Sequence, residues 1–159
     1  MTSMRRTRTL LQQLILQTEP TSSNDDSRFP VGARGEASTT VSDQKGNTAN
    51  RMGSGSLPVY STPSMVALME EASCSALKYF LTPAETTVGT GIATSHLAAT
   101  ALGASVTATA TLTKAQGKSL SFEVEATDST GLTIGKGTHT RAVVDSSRFM
   151  GKLAKRSST

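Results

Sequence analysis

Over residues 86–144 apolar and polar side chains alternate with a period of two. Between 105 and 113, Val106, Ala108, Ala110 and Leu112 alternate with Thr107, Thr109, Thr111 and Thr113. Between 119 and 127, Leu120, Phe122, Val124 and Ala126 alternate with Ser121, Glu123, Glu125 and Thr127. This period puts each apolar set on one face of a pleated strand, so both segments predict strands with one buried face. Ala115-Gln116-Gly117-Lys118 between them reads as a hairpin loop. The pattern predicts a further strand over 86–97, interrupted by Gly89 and Gly91, and a last one over 132–144 after the turn Asp128-Ser129-Thr130-Gly131. Earlier in the chain, Ala37, Thr39 and Val41 share a face of a strand predicted over 33–42.

Between these strands the period lengthens. Met65, Leu68, Met69, Ala72, Ala76 and Leu77 recur at helical spacing. Thr62-Pro63 reads as an N-cap followed by proline at the first helical position, where its missing N–H removes no bond. The helix is predicted to end near Tyr79-Phe80, ahead of Pro83, and Met52-Gly53-Ser54-Gly55-Ser56 before it reads as a loop. The order is therefore strand, helix, then four strands joined by hairpins. One apolar helix and one antiparallel sheet with an apolar face bury each other best when the sheet curls around the helix. That α+β arrangement is the hot-dog fold. Its edge strands invite pairing with a second copy, so a homodimer is expected, with a tetramer of two dimers left open.

The 159 residues fit one domain, and with 4% aromatics and no Trp the core must be aliphatic and Met-based. No apolar run approaches the roughly 18 residues of a membrane span. A single cysteine, Cys74, excludes an internal disulfide and a Cys-based zinc site, and inside the helix it reads as a small buried hydrophobe. His96 and His139 are the only histidines, which leaves little for a metal site. The net charge of +4 is a local matter. Residues 1–50 carry six Lys/Arg against five Asp/Glu, whereas beyond Asp145 there are only bases, Arg148, Lys152, Lys155 and Arg156. A basic stripe with stacking aromatics is lacking, which disfavours nucleic acid as a partner. In residues 1–27, Arg5, Arg6 and Arg8 precede Leu10, Leu11, Leu14, Ile15 and Leu16, with no acid before Glu19. That start resembles a mitochondrial transit peptide; a plain extension on a cytoplasmic protein is the alternative. The domain is then 28–153, followed by a basic tail over 154–159.

Three residue types suited to acyl transfer fall within this domain. Glu70 follows Thr62 by eight residues, about 80° around the helix and roughly 12 Å along it, on broadly the same side. One of Glu70 and Glu71 is expected to face solvent and the other the core. His96 ends the glycine-containing strand. An imidazole accepts a proton near neutral pH, a carboxylate orients it or acts on water, and a hydroxyl attacks or positions. A backbone N–H near Gly89 could hold an oxyanion, because glycine lets the chain approach a ligand closely. Taken singly, each also has a structural reading: Thr62 as a cap, the glutamates as a solvated face, His96 as a satisfied polar residue, and Gly89 with Gly91 as a strand bulge.

Four blocks in order tie these residues to a known family. Residues 52–72, with Tyr60-Ser61-Thr62-Pro63-Ser64-Met65 and Leu68-Met69-Glu70-Glu71-Ala72, resemble the helix region of the fluoroacetyl-CoA thioesterase-like enzymes. So do Thr86-Thr87-Val88-Gly89-Thr90, Ser95-His96-Leu97-Ala98-Ala99-Thr100 and Gly137-Thr138-His139-Thr140-Arg141. The resemblance spans about 30–153. It implies a hot-dog homodimer that hydrolyses acyl-CoA thioesters without metal or organic cofactor. It also implies that Thr62, Glu70 and His96 are catalytic, that Gly89 serves the substrate carbonyl, and that Arg141 contacts the CoA portion. The chain departs from the fluoroacetyl-specific enzymes where they carry a phenylalanine lid; here Gly55-Ser56-Leu57-Pro58 holds no aromatic, which leaves the acyl group open. An enoyl-CoA hydratase or dehydratase on the same fold, and a non-catalytic acyl-CoA-binding protein, are the competing readings.

Overall fold

The structure, a computed structural model, describes residues 28–157. The targeting reading of 1–27 lies outside them. Five strands form one antiparallel sheet: β1 (Arg34–Thr40), β2 (Glu85–His96), β3 (Ser105–Gln116), β4 (Ser119–Asp128) and β5 (Thr133–Asp145). Their spatial order is β1-β3-β4-β5-β2, so β1 and β2 are the edges. Among the described residues three helices accompany them: α1 (Ala49–Met52), α2 (Thr62–Leu77) and α3 (Ser146–Arg156).

Alternation decides the faces. Val106, Ala108, Ala110 and Leu112 of β3 pair with Asp128, Ala126, Val124 and Phe122 of β4, and the apolar members are buried. The hairpin closes at Gly117, whose φ of 54° suits a glycine in a tight turn. All six predicted positions on α2 are buried, and they fill the concave face of the sheet. The sheet wraps the helix, as the element order demands.

β1 and α2 come close at Gly35. A Cβ there would run into the backbone of Ala72 and Ala76, so at this point strand and helix meet through small residues. Gly35→Ala is expected to destabilise the fold by about 1–3 kcal/mol, the usual range for overpacking. Urea unfolding would show this as a lower midpoint at unchanged m.

Several boundaries differ from the sequence expectation. Ser61, not Thr62, is the N-cap of α2; its hydroxyl accepts from Ser64 N at 3.2 Å. Two hydroxyl residues stand side by side here, and only the one with extended backbone can cap. The helix ends at Leu77, two residues early, and Tyr79 is left exposed. Cys74 is exposed rather than buried, because it falls off the Met65–Leu77 stripe toward solvent. The basic residues after Asp145 sit on α3, which runs through position 153 with the Asp145 side chain as its cap.

At the start of β2, Glu85 accepts from Thr82 N at 3.1 Å, from Thr82 Oγ1 at 3.0 Å and from Arg28 Nη1 at 2.9 Å. The Thr82 bonds, and then Arg28, hold its carboxyl below the usual range. A carboxylate depressed in the folded state contributes stability that is present above its unfolded pKa and lost as pH falls through the folded one. Glu85→Gln is therefore expected to flatten the acid side of the stability profile and leave neutral stability lower, measured as unfolding midpoint against pH.

Candidate active site

Chain segments on either side of His96 bring two distant hydroxyl and imidazole groups together. After β2 the chain folds back, with Leu97 N bonded to Ile134 O at 2.7 Å. It then runs antiparallel to the segment leading into α2: Tyr60 N donates to Thr100 O at 2.8 Å, and Val59 pairs with Ala101. The first turn of α2 thus lies beside the end of β2. Thr62 Oγ1 and His96 Nδ1 are 2.8 Å apart. Because Ser61 does the capping, the Thr62 hydroxyl is available for this bond.

Below the pair, Tyr60 is 2% exposed and donates its phenol to Ser64 O at 3.1 Å. Burial, and secondarily the charge of Glu71, pushes its pKa up, so it remains a neutral donor. The pair opens into a cleft of about 370 Å³ walled by Val59, Leu97, Ala98 and Ala99. His96 Nε2 is buried without a hydrogen-bond partner. A buried polar atom left unpaired costs roughly 1–3 kcal/mol, so this nitrogen gains from bonding a group that enters the cleft. A larger hollow of about 770 Å³ lies on the threonine-rich outer face of the sheet, among Thr109, Thr111, Glu123 and Lys136, away from both histidines.

Glu70 and Gly89 belong to a second cluster. Glu70 is half-exposed while Glu71 is exposed, as one-in, one-out spacing predicts. Glu70 Oε1 stands 3.5 Å from Arg141 Nη1 and 3.6 Å from His139 Nε2. A Cβ on Gly89 would come within 2.5 Å of the same oxygen, so any larger residue there would displace the Glu70 carboxylate. The expected bulge is present: register shifts between Gly89 and Gly91, leaving Thr90 as the extra residue.

Arg141, which the resemblance assigns to the CoA portion, lies on the inner face of β5. It is 6% exposed, and its guanidinium is committed inward to Thr87 and His139. Within one protomer the five candidate residues also fail to converge. Thr62 and Glu70 lie about 12 Å apart along α2. Gly89 and His96 stand seven positions apart along β2, at most about 23 Å at full rise.

His139 is the site residue that sequence reasoning missed. Period two on β5 aligns His139 and Arg141 with buried Val143, and two polar residues on a core-facing row are the signal that could have found them. Among the described residues no group of three His, Cys, Asp or Glu side chains could hold a metal ion, and no helix is long and apolar enough to cross a membrane.

A sheet curled round one helix, with a threonine–histidine pair at its edge, is the hot-dog arrangement of a thioesterase. Residues 44–147 match the family described as FlK, fluoroacetyl-CoA-specific thioesterase, and the chain belongs to that family. It is 43% identical over 95 residues to a fluoroacetyl-CoA thioesterase of Streptantibioticus cattleyicolor, covering 60% of this chain and 68% of the other. A structure of the fluoroacetyl-CoA thioesterase FlK superposes with a TM-score of 0.72 at 36% identity, over 79% of this chain and 96% of that one. A thioesterase superfamily member from Thermus thermophilus gives a TM-score of 0.73 at 25% identity, over 82% and 94%.

Proposed function

We propose that the protein hydrolyses an acyl-CoA thioester to a carboxylic acid and free CoA, at a site completed by two copies of the chain. The observation that carries the chemistry is the Thr62–His96 bond with an unpartnered Nε2, in a chain of a thioesterase family. Water attacks the thioester carbonyl, a tetrahedral oxyanion forms, and the C–S bond breaks. Glu70 takes the proton from the attacking water, and the Thr62–His96 pair supplies a proton to the departing thiolate. A backbone N–H at the Gly89 bulge, where the ladder is broken, faces the oxyanion. Arg141, its guanidinium held by Thr87 and His139, borders Glu70 at 3.5 Å.

The two clusters lie at different heights of one free edge strand, β2. Antiparallel pairing of β2 with a second β2, about an axis between Ile92 and Ala93, sets Gly89 of one chain opposite His96 of the other. Edge-to-edge pairing of this kind is the ordinary route to a continuous sheet in a dimer. Residues Thr90, Gly91, Ile92 and Ala93 are exposed along this edge in the single chain, as an unmade interface would leave them. The Glu70 cluster of one protomer then faces the Thr62–His96 pair of its partner.

Thiol release from acyl-CoAs of graded chain length tests the reading. Turnover of at least one ester is expected. Hydration of an enoyl-CoA without thiol release, or tight binding of CoA esters with none turned over, would overturn it. Gly55-Ser56-Leu57-Pro58, which holds no aromatic in the segment where the fluoroacetyl-specific enzymes carry a phenylalanine lid, argues for acyl groups other than fluoroacetyl. The Arg-rich, acid-free start supports a mitochondrial address, which a fluorescent fusion of residues 1–30 remaining cytosolic would refute.

A further inference from the structure

The proposed chemistry gives His139 no task, yet the sharing of donors and acceptors around it is specific. His139 Nδ1 lies 2.8 Å from the Gly91 carbonyl oxygen. A carbonyl only accepts, so Nδ1 carries the proton and Nε2 offers a lone pair. Arg141 Nη1, 3.1 Å away, donates to that lone pair. Thr87 fixes the rest of the guanidinium: Nε donates to its hydroxyl and Nη2 to its carbonyl, each at 2.9 Å. Glu70 Oε1 is left 3.5 Å from Arg141 Nη1. A guanidinium and a carboxylate with nothing between them close to about 2.7–2.9 Å. This pair has not closed, although Gly89 leaves the carboxylate room and its side chain is 42% exposed.

We propose that His139 is a positioning residue for Glu70: by engaging Arg141 Nη1, it keeps the guanidinium from sealing the carboxylate, whose oxygens stay open to water and substrate. The groups facing the ring are Glu70 from α2, Arg141 from β5 itself, the Gly91 carbonyl from β2 and the Phe122 ring from β4, with ring centroids 6.4 Å apart. The proposal rests on the thioesterase reading for its kinetic readout only.

Two readouts in the full-length protein test it, the pH profile of thiol release and the carbon-detected titration of the Glu70 carboxyl. His139→Phe removes the acceptor, and Arg141 then closes on Glu70. The Glu70 midpoint is expected to fall by about one unit or more. The acid limb of kcat should follow it, kcat should drop about 10- to 100-fold, and KM should stay near wild type. His139→Gln, which returns a carbonyl oxygen toward Arg141, is expected to restore the midpoint and most of the rate. Should His139→Phe fail to fold, His139→Asn keeps a donor for Gly91, withdraws the acceptor from Arg141 and carries the same expectation as Phe. A folded Phe or Asn variant with the wild-type Glu70 midpoint overturns the proposal, and so does a Gln variant as impaired as they are. If the wild type releases no thiol from any ester, the thioesterase reading fails, and the Glu70 midpoint still decides the role of His139.

Discussion

Replacing His96 by alanine is expected to lower thiol release by about 10²- to 10⁴-fold, the range a positioned acid–base group contributes. Stability should hardly change. The substitution removes one hydrogen bond, Thr62 Oγ1 to His96 Nδ1, but it also removes a buried nitrogen with no partner. These terms are each on the order of 1 kcal/mol and opposite in sign. A residue kept for packing would behave the other way round, with stability lost and activity partly retained. The pairing of steady-state kinetics with a thermal melt on the same sample separates the two. An active His96→Ala variant would leave the fold correct and the site misassigned.

The second large effect is expected at the edge of the sheet. Ile92 is 37% exposed on β2 in the isolated chain. Ile92→Lys would set two ammonium groups near the proposed axis, where apolar side chains would otherwise meet, and each would lose water or repel the other. Dimer and activity are expected to disappear together, because each protomer alone keeps Thr62–His96 and Glu70–Gly89 apart. Mass by light scattering and thiol release, followed over a dilution series, should fall in parallel. A monomer with wild-type turnover would show that one chain holds a complete site.

Much of this was legible in the residues because burial here is one-sided. The alternation on β3 and β4 and the six-residue stripe on α2 each face a single core, so pattern and structure agree. α3 was not legible: Phe149, Met150 and Leu153 are spaced along a helix that buries nothing in this chain, so no core enforces its pattern. The cap was ambiguous because Ser61 and Thr62 are chemically alike, and only backbone geometry separates them. The difference matters, since it turns Thr62 from a cap into a partner of His96. Arg141 illustrates a different limit. Its place in the sequence block suggested a cation for phosphate, while its strand register points it inward, to Thr87 and His139. The separation of Gly89 from His96 was implicit in their spacing along one strand, and the edge position of β2, which leaves room for the pairing proposed above, follows only from the sheet order.

The most direct measurement is complementation between two inactive variants. His96→Ala and Glu70→Gln are each expected to be folded, dimeric and nearly inactive. Co-expressed with different tags and purified as the mixed dimer, they place His96 of one chain against Glu70 of the other at one of two sites. The account predicts recovery of about half the wild-type thiol release, one of two equivalent sites being intact. A mixed dimer as inactive as either parent would contradict it, because each site would then draw His96 and Glu70 from a single chain.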